Sequence, residues 1–212
     1  MLIRYMSLAL IAVGALYLAV WPHEVGHSLV AFLCGCKANW WQTDTSLLLF
    51  GSQGGAIDYG CLGRSGRTAL GMTEFGGIAV NLLLLALAPL VGRWWRKNST
   101  AGDSRWRWWF LATFIWALAN YAEAFSYLVL NTLWLKSDMR TVVAASGINR
   151  WIWFGAGTLV ATLVARWMLG PARRAADALA TRRGPSEAWL RRFVVYAASA
   201  SIAMAAGRII MT

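Results

Sequence analysis

The sequence predicts an all-α polytopic membrane protein with about five transmembrane helices. Of its 212 residues, 58% are hydrophobic and 14% are charged, and the mean hydropathy is +0.50. An average soluble domain carries about 25% charged residues. Several apolar stretches reach the roughly 20 residues that a helix needs to cross a bilayer. Because a backbone in lipid must satisfy its own hydrogen bonds, helices are expected to make up nearly all of the chain.

The predicted spans belong to one integral membrane domain, 1–212. They lie at about 5–34, 75–92, 108–134, 151–169 and 193–211. The first has the basic residue and apolar run of a secretory signal, but no small-residue cleavage site follows, so we expect it to be retained. Within it, Pro22 either kinks one helix or opens a second, short one. After it, residues 46–50 and 54–60 are predicted as short strands or a re-entrant hairpin.

The net charge of +11 is explained by basic loops, so we expect the lipid bilayer as a partner and no nucleic acid. If the five spans alternate, 12 loop-region Lys and Arg residues share the side of the N-terminus and 6 lie on the other. The twelve are Arg4, Arg93, Arg96, Lys97, Arg105, Arg107, Arg173, Arg174, Arg182, Arg183, Arg191 and Arg192, and the six are Lys37, Arg64, Arg67, Lys136, Arg140 and Arg150. The positive-inside rule then predicts a cytoplasmic N-terminus and an external 35–73 loop.

The three cysteines are Cys34, Cys36 and Cys61. Their odd number argues against a disulfide framework, and we expect them to serve in packing. A metal role for the Cys-Gly-Cys triplet is the less favoured alternative, because two thiols without a further pair make a poor zinc site.

Both histidines of the chain lie in the segment WPHEVGH, residues 21–27. On a helix, His23 and His27 are one turn apart on one face and can hold one zinc ion, while Glu24 can take a proton from a water on the metal. Zinc lowers the pKa of its bound water to about 7 and polarises a carbonyl group. Ionisable groups are costly in a membrane span, so this cluster predicts a metal site rather than ordinary packing.

A catalytic zinc site needs a third protein ligand, and the chain has no third histidine. If the spans alternate direction, the end of the first and the end of the third share one membrane level. Asp138 follows the third span and is the predicted third ligand. Glu123, about 22 Å of helix before it, is the reserve.

Three stretches resemble the site-2 protease family of intramembrane zinc metalloproteases, and they occur in the family's order. HEVGHSLVAFLCG is similar to the family's motif helix. FGGIAVNLLLLALAPL is similar to a second block with a glycine pair and an asparagine. NTLWLKSDMRTVVAASGINRWIW is similar to a third block, in which an asparagine precedes an aspartate, and looks most like the compact bacterial branch.

The resemblance implies a protein of the bacterial inner membrane that cleaves a membrane-protein substrate in or beside a transmembrane helix. His23, His27 and Asp138 would hold Zn²⁺, and Glu24 would act as general base and then acid. Asn81 and Asn131 would position substrate or steady the site, although each has the alternative of a hydrogen bond between helices. The 46–60 region would correspond to the family's membrane-associated strands, which could pair with an extended substrate.

The chain departs from the family at two points. The third block lacks the usual prolines, and Met139 replaces the usual glycine. Many members face their site toward the cytoplasm, whereas the charge count favours the outside, so the orientation stays open. Two other functions are considered: a catalytically silent scaffold subunit of a larger membrane complex, and metal transport, which lacks a relay of ionisable groups across the membrane.

Overall fold

The computed structural model describes residues 2–44, 55–97 and 105–179, and the described part is almost entirely helical. The helices, in chain order, are α1 (Leu2–Leu33), α2 (Tyr59–Ser65), α3 (Arg67–Lys97), α4 (Arg105–Phe125), a π-helical segment (Ser126–Asn131), α5 (Thr132–Trp134), α6 (Ser137–Ser146) and α7 (Arg150–Leu179). The predicted helical class is thereby confirmed.

Three helices are long and apolar enough to cross a membrane: residues Ala9–Leu33, Arg67–Trp94 and Arg150–Pro171. Their outward faces carry large apolar side chains that a soluble protein would bury. Examples are Leu10, Val13, Leu18, Leu83, Leu90, Leu159, Leu163 and Leu169. These features are those of an integral membrane protein. Helix α1 runs through Pro22 without interruption.

Two other predicted spans have different outcomes. Residues 108–134 are helical, in α4, the π-helical segment and α5, but α4 is not among the three helices apolar enough to span. Its indole, amide and carboxylate side chains account for the lower hydropathy. The predicted span 193–211 and the strand at 46–50 lie outside the described residues.

The predicted strand at 54–60 is wrong where the structure describes it, and the alternative of a re-entrant hairpin stays a prediction. Residues 55–58 form no strand, and α2 begins at Tyr59. Asp58 caps α2, because its carboxylate accepts a hydrogen bond from the Cys61 N–H at 2.8 Å. The cap satisfies a backbone N–H group at the start of α2, so this segment needs no neighbouring strand to bond with.

The interpretation of the cysteines is also wrong, because Cys36 and Cys61 form a disulfide and only Cys34 is free. An odd count excludes complete pairing but does not exclude one pair. Backbone hydrogen bonds bring the two residues together: the Cys36 N–H donates to Ala31 O, and the Asp58 N–H donates to Cys36 O. The end of α1 is therefore tied to α2.

Helix α3 is central to the described fold and packs against α1, α2, α4 and α6. The α1–α3 contact is close because glycines face each other. A Cβ on Gly26 would lie 2.5 Å from the Gly76 carbonyl oxygen, and one on Gly76 would lie 2.6 Å from the Gly26 oxygen. Small residues allow this approach between membrane helices. The approach brings the α1 histidines against the α3 backbone.

Candidate metal centre

His23, His27 and Asp138 converge at one buried point between α1, α3 and α6. The two Nε2 atoms are 3.0 Å apart, and the Asp138 Oδ2 lies 3.5 Å from Nε2 of His23 and 3.2 Å from Nε2 of His27. Both imidazoles are buried and the carboxylate is largely so. These three form the one group of potential metal-ligating side chains that the described ranges contain.

The spacing of these atoms fits a tetrahedral zinc ion. Ligands about 2.0–2.1 Å from such an ion lie about 3.3 Å from one another. The three observed separations, 3.0 to 3.5 Å, bracket that value. A His₂-carboxylate set with one open position is also a donor set of catalytic zinc sites.

The hydrogen bonds on the other ring nitrogens fix which atoms of the imidazoles face this point. Nδ1 of His23 is 2.6 Å from the Asn81 side-chain oxygen, and Nδ1 of His27 is 2.8 Å from the Thr73 carbonyl oxygen. A carbonyl oxygen can only accept, so each Nδ1 carries the hydrogen. In the neutral imidazoles, both Nε2 atoms therefore present lone pairs toward each other.

The carboxylate adds a third acceptor to the same point. Oδ1 of Asp138 accepts a hydrogen bond from the Ser137 hydroxyl at 2.9 Å, whereas Oδ2 is buried without a hydrogen-bond donor. When both imidazoles are neutral, the three atoms are electron-pair donors that face one another, and such a group is suited to a cation.

A chain of amides holds His23 in this orientation. Asn81 donates to the Ala19 carbonyl and to the Asn120 side-chain oxygen, both at 3.0 Å, and Asn120 donates in turn to the Trp116 carbonyl at 2.9 Å. Asn81 and Asn120 are fully buried. The Asn81 oxygen is thus directed at the ring, and Asn81 has the position of a residue that steadies the site.

Asp138 is positioned by the turn before α6 and by the packing of that helix. Leu135 and Ser137 adopt positive φ angles of 51° and 50°, which are strained for residues other than glycine and reverse the chain just before the carboxylate. Met139 and Val142 then bury against Ile78 of α3 and neighbouring side chains. Met139 is therefore an anchor of α6.

The remaining predicted residues lie around this group in different ways. Glu24 is buried beside the first histidine. Asn131 is buried at the end of the π-helical segment, where its backbone oxygen accepts from the Lys136 N–H. Glu123 is not part of the three-residue group.

Tyr127 lies in the π-helical segment that also contains Asn131, and it stacks on the His23 ring with centroids 4.6 Å apart. Such segments often occur at functional sites.

The sequence interpretation missed a face of α3 and two groups beside it. Thr73, Gly77 and Asn81 are four residues apart, lie on one face of α3 and contact the two histidines. Counting back by four from Asn81 along a helix would have identified the other two. Glu74 is buried next to them and interacts electrostatically with Asp138 and Tyr59. The pKa of the Tyr59 hydroxyl is raised above its usual value, first by burial and then by the nearby Glu74 carboxylate.

The contact between Asn81 and His23 gives a first testable prediction. In Asn81→Leu, the Nδ1–H of His23 loses its acceptor and the tautomer that points Nε2 inward loses support. We expect metal affinity to fall by about 10- to 100-fold, the usual effect of removing such a partner. A competition titration with a chelator of known affinity measures this. Asn39→Leu, outside the site, should keep the wild-type affinity, and equal affinities of the two variants would contradict the role of Asn81.

Comparison of the chain with known protein families, with curated proteins and with solved structures yields no match.

Proposed function

We propose that the chain is an intramembrane zinc metalloprotease of the site-2 protease kind, which hydrolyses a peptide bond in or beside a transmembrane helix of a membrane-protein substrate. One observation carries the proposal: two imidazole nitrogens and one carboxylate oxygen, all buried, meet with separations of 3.0 to 3.5 Å. When both rings are neutral and carry their hydrogen on Nδ1, none of the three atoms faces a hydrogen-bond donor. A divalent cation between them would interact favourably with all three.

In this proposal each residue has a separate task. His23, His27 and Asp138 hold the ion. A bound zinc ion would supply Lewis acidity, which acidifies a water molecule and polarises a carbonyl group. Glu24 follows His23 directly on α1, so its carboxylate belongs to the same buried region without occupying a ligand position. It takes the proton of the attacking water and returns it to the leaving amine nitrogen.

Zinc is favoured over other divalent ions by the donor set. Imidazole nitrogen together with a single carboxylate oxygen suits zinc, and also iron or cobalt, better than magnesium or calcium. A three-ligand set leaves the open position that hydrolysis requires.

We also propose that the chain crosses the bacterial inner membrane five times. Residues 105–134 extend for 30 positions, or about 45 Å if helical throughout, which is enough to cross a bilayer. Helix α4 packs against α1, α3 and α7, all of which are long and apolar, so it shares their environment. The fifth span would be 193–211.

Metal analysis of the purified protein tests the proposal. We expect about one zinc ion per chain after purification without added metal, and loss of that ion on dialysis against a strong chelator. Asp138→Ala removes one of three ligands and should be purified with little or no metal. Asp44→Ala, which removes an exposed carboxylate elsewhere, should keep the wild-type content. Equal zinc contents in the two variants would sink the proposal.

A further inference from the structure

The disulfide between Cys36 and Cys61 lies at the same end of the fold as the candidate metal centre. His27 is six residues before the end of α1 at Leu33, which is about 9 Å along the helix axis. Cys36 is three residues beyond that end, and Cys61 lies in α2, just before α3. The disulfide and the site therefore lie toward one side of the membrane.

The cysteine pair is also an integral part of this end of the fold. Cys36 is buried with Ala31, Ile57 and Leu62 in one apolar cluster. Hydrogen bonds from the Cys36 N–H to Ala31 and from the Asp58 N–H to Cys36 hold the backbone on both sides of the linkage. The pairing thus agrees with the local packing and is not an accidental contact of two mobile loops.

The redox chemistry of the linkage indicates a compartment. Disulfides form and persist in the periplasm and outside the cell, whereas the cytosol keeps thiols reduced. The charge distribution is an independent observation that points the same way. If the chain alternates through the five proposed spans, the side that holds the disulfide has 6 loop-region basic residues and the opposite side has 12, and basic residues favour the cytoplasmic side.

From these two observations we infer that the metal centre opens toward the oxidising, extracytoplasmic side of the membrane. Its substrates then present the bond to be cut at the extracytoplasmic end of a membrane segment, or in the chain next to that end. The statement about substrates rests on the proposed protease function, whereas the orientation does not. The orientation is opposite to that of many members of the family that the sequence resembles.

Site-specific labelling tests the orientation without any measurement of activity. In a Cys34→Ala background, which removes the free thiol, Trp41→Cys adds an exposed reporter at the disulfide end, and Lys97→Cys adds one at the opposite end of α3. Both proteins are produced in a bacterial inner membrane and treated with a membrane-impermeant maleimide. We expect Trp41→Cys to be labelled in intact spheroplasts and Lys97→Cys to be labelled only after permeabilisation.

The reverse pattern overturns the inference. A second measurement uses the native cysteines: after acid quenching of whole cells, which stops thiol exchange without blocking free thiols, alkylation with a heavy maleimide should shift the wild-type protein by one label without reductant and by three with it. Three labels without reductant would show that the pair is reduced in the cell and would remove the redox argument. Neither result changes if the protein proves to bind no zinc, so failure of the orientation and failure of the proposed function are distinguishable.

Discussion

Replacement of Glu24 by glutamine is expected to abolish peptide cleavage while the metal content stays at that of the wild type. The amide has nearly the shape of the carboxylate, so the buried site should keep its packing, but it cannot accept the proton of the attacking water. General base catalysis typically contributes about 10²- to 10⁴-fold to a rate, and a loss in this range is expected. Cleavage of a library of fluorescence-quenched transmembrane peptides in detergent micelles, read together with zinc analysis, measures both quantities.

The matched control is Glu123→Gln, a glutamate to glutamine change on α4 that lies outside the three-residue group. We expect this variant to cleave at the wild-type rate and to keep its zinc. Equal cleavage by Glu24→Gln and the wild type would end the protease interpretation. If no variant cleaves any peptide but all hold zinc except those of His23, His27 and Asp138, the scaffold interpretation is the better one.

The sequence predicts the histidine pair from local helix geometry and predicts Asp138 from the alternation of the spans. His23 and His27 share a face in any α-helix, whatever surrounds it. Asp138 is 111 residues from His27 in the chain, and the sequence identifies it only because alternating spans bring the end of the first and the end of the third to one level. The structure brings all three within hydrogen-bonding range of one another.

The part that the sequence did not predict depends on tertiary contacts made by groups with no chemical signature. The Thr73 contribution is a backbone carbonyl, and the Gly77 contribution is the absence of a side chain. Helix α3 also begins at Arg67, eight residues before the predicted span, because the polar start of a helix cannot be recognised by hydropathy. The pairing of Cys36 with Cys61 likewise depends on a Cα separation that only the folded chain sets.

Replacement of Gly77 by alanine is expected to prevent metal binding. A Cβ at this position would lie 2.6 Å from Nε2 of His27 and 2.7 Å from Nε2 of His23, on the atoms that are proposed to hold the ion. Either the methyl group occupies the space beside both nitrogens or the rings are displaced, and both outcomes disrupt the ligand geometry. The zinc content of the purified variant should fall to background, and cleavage should fall with it.

Gly155→Ala is the matched control, because a Cβ there has no atom within 4 Å and the change is likewise glycine to alanine within a helix. It should retain zinc, cleavage and thermal stability. Circular dichroism and size-exclusion chromatography distinguish a folded Gly77→Ala protein without metal from an unfolded one. A folded Gly77→Ala protein that binds zinc with wild-type affinity would show that the ion, if present, is not held between these two imidazoles, because the methyl group leaves no room for it there.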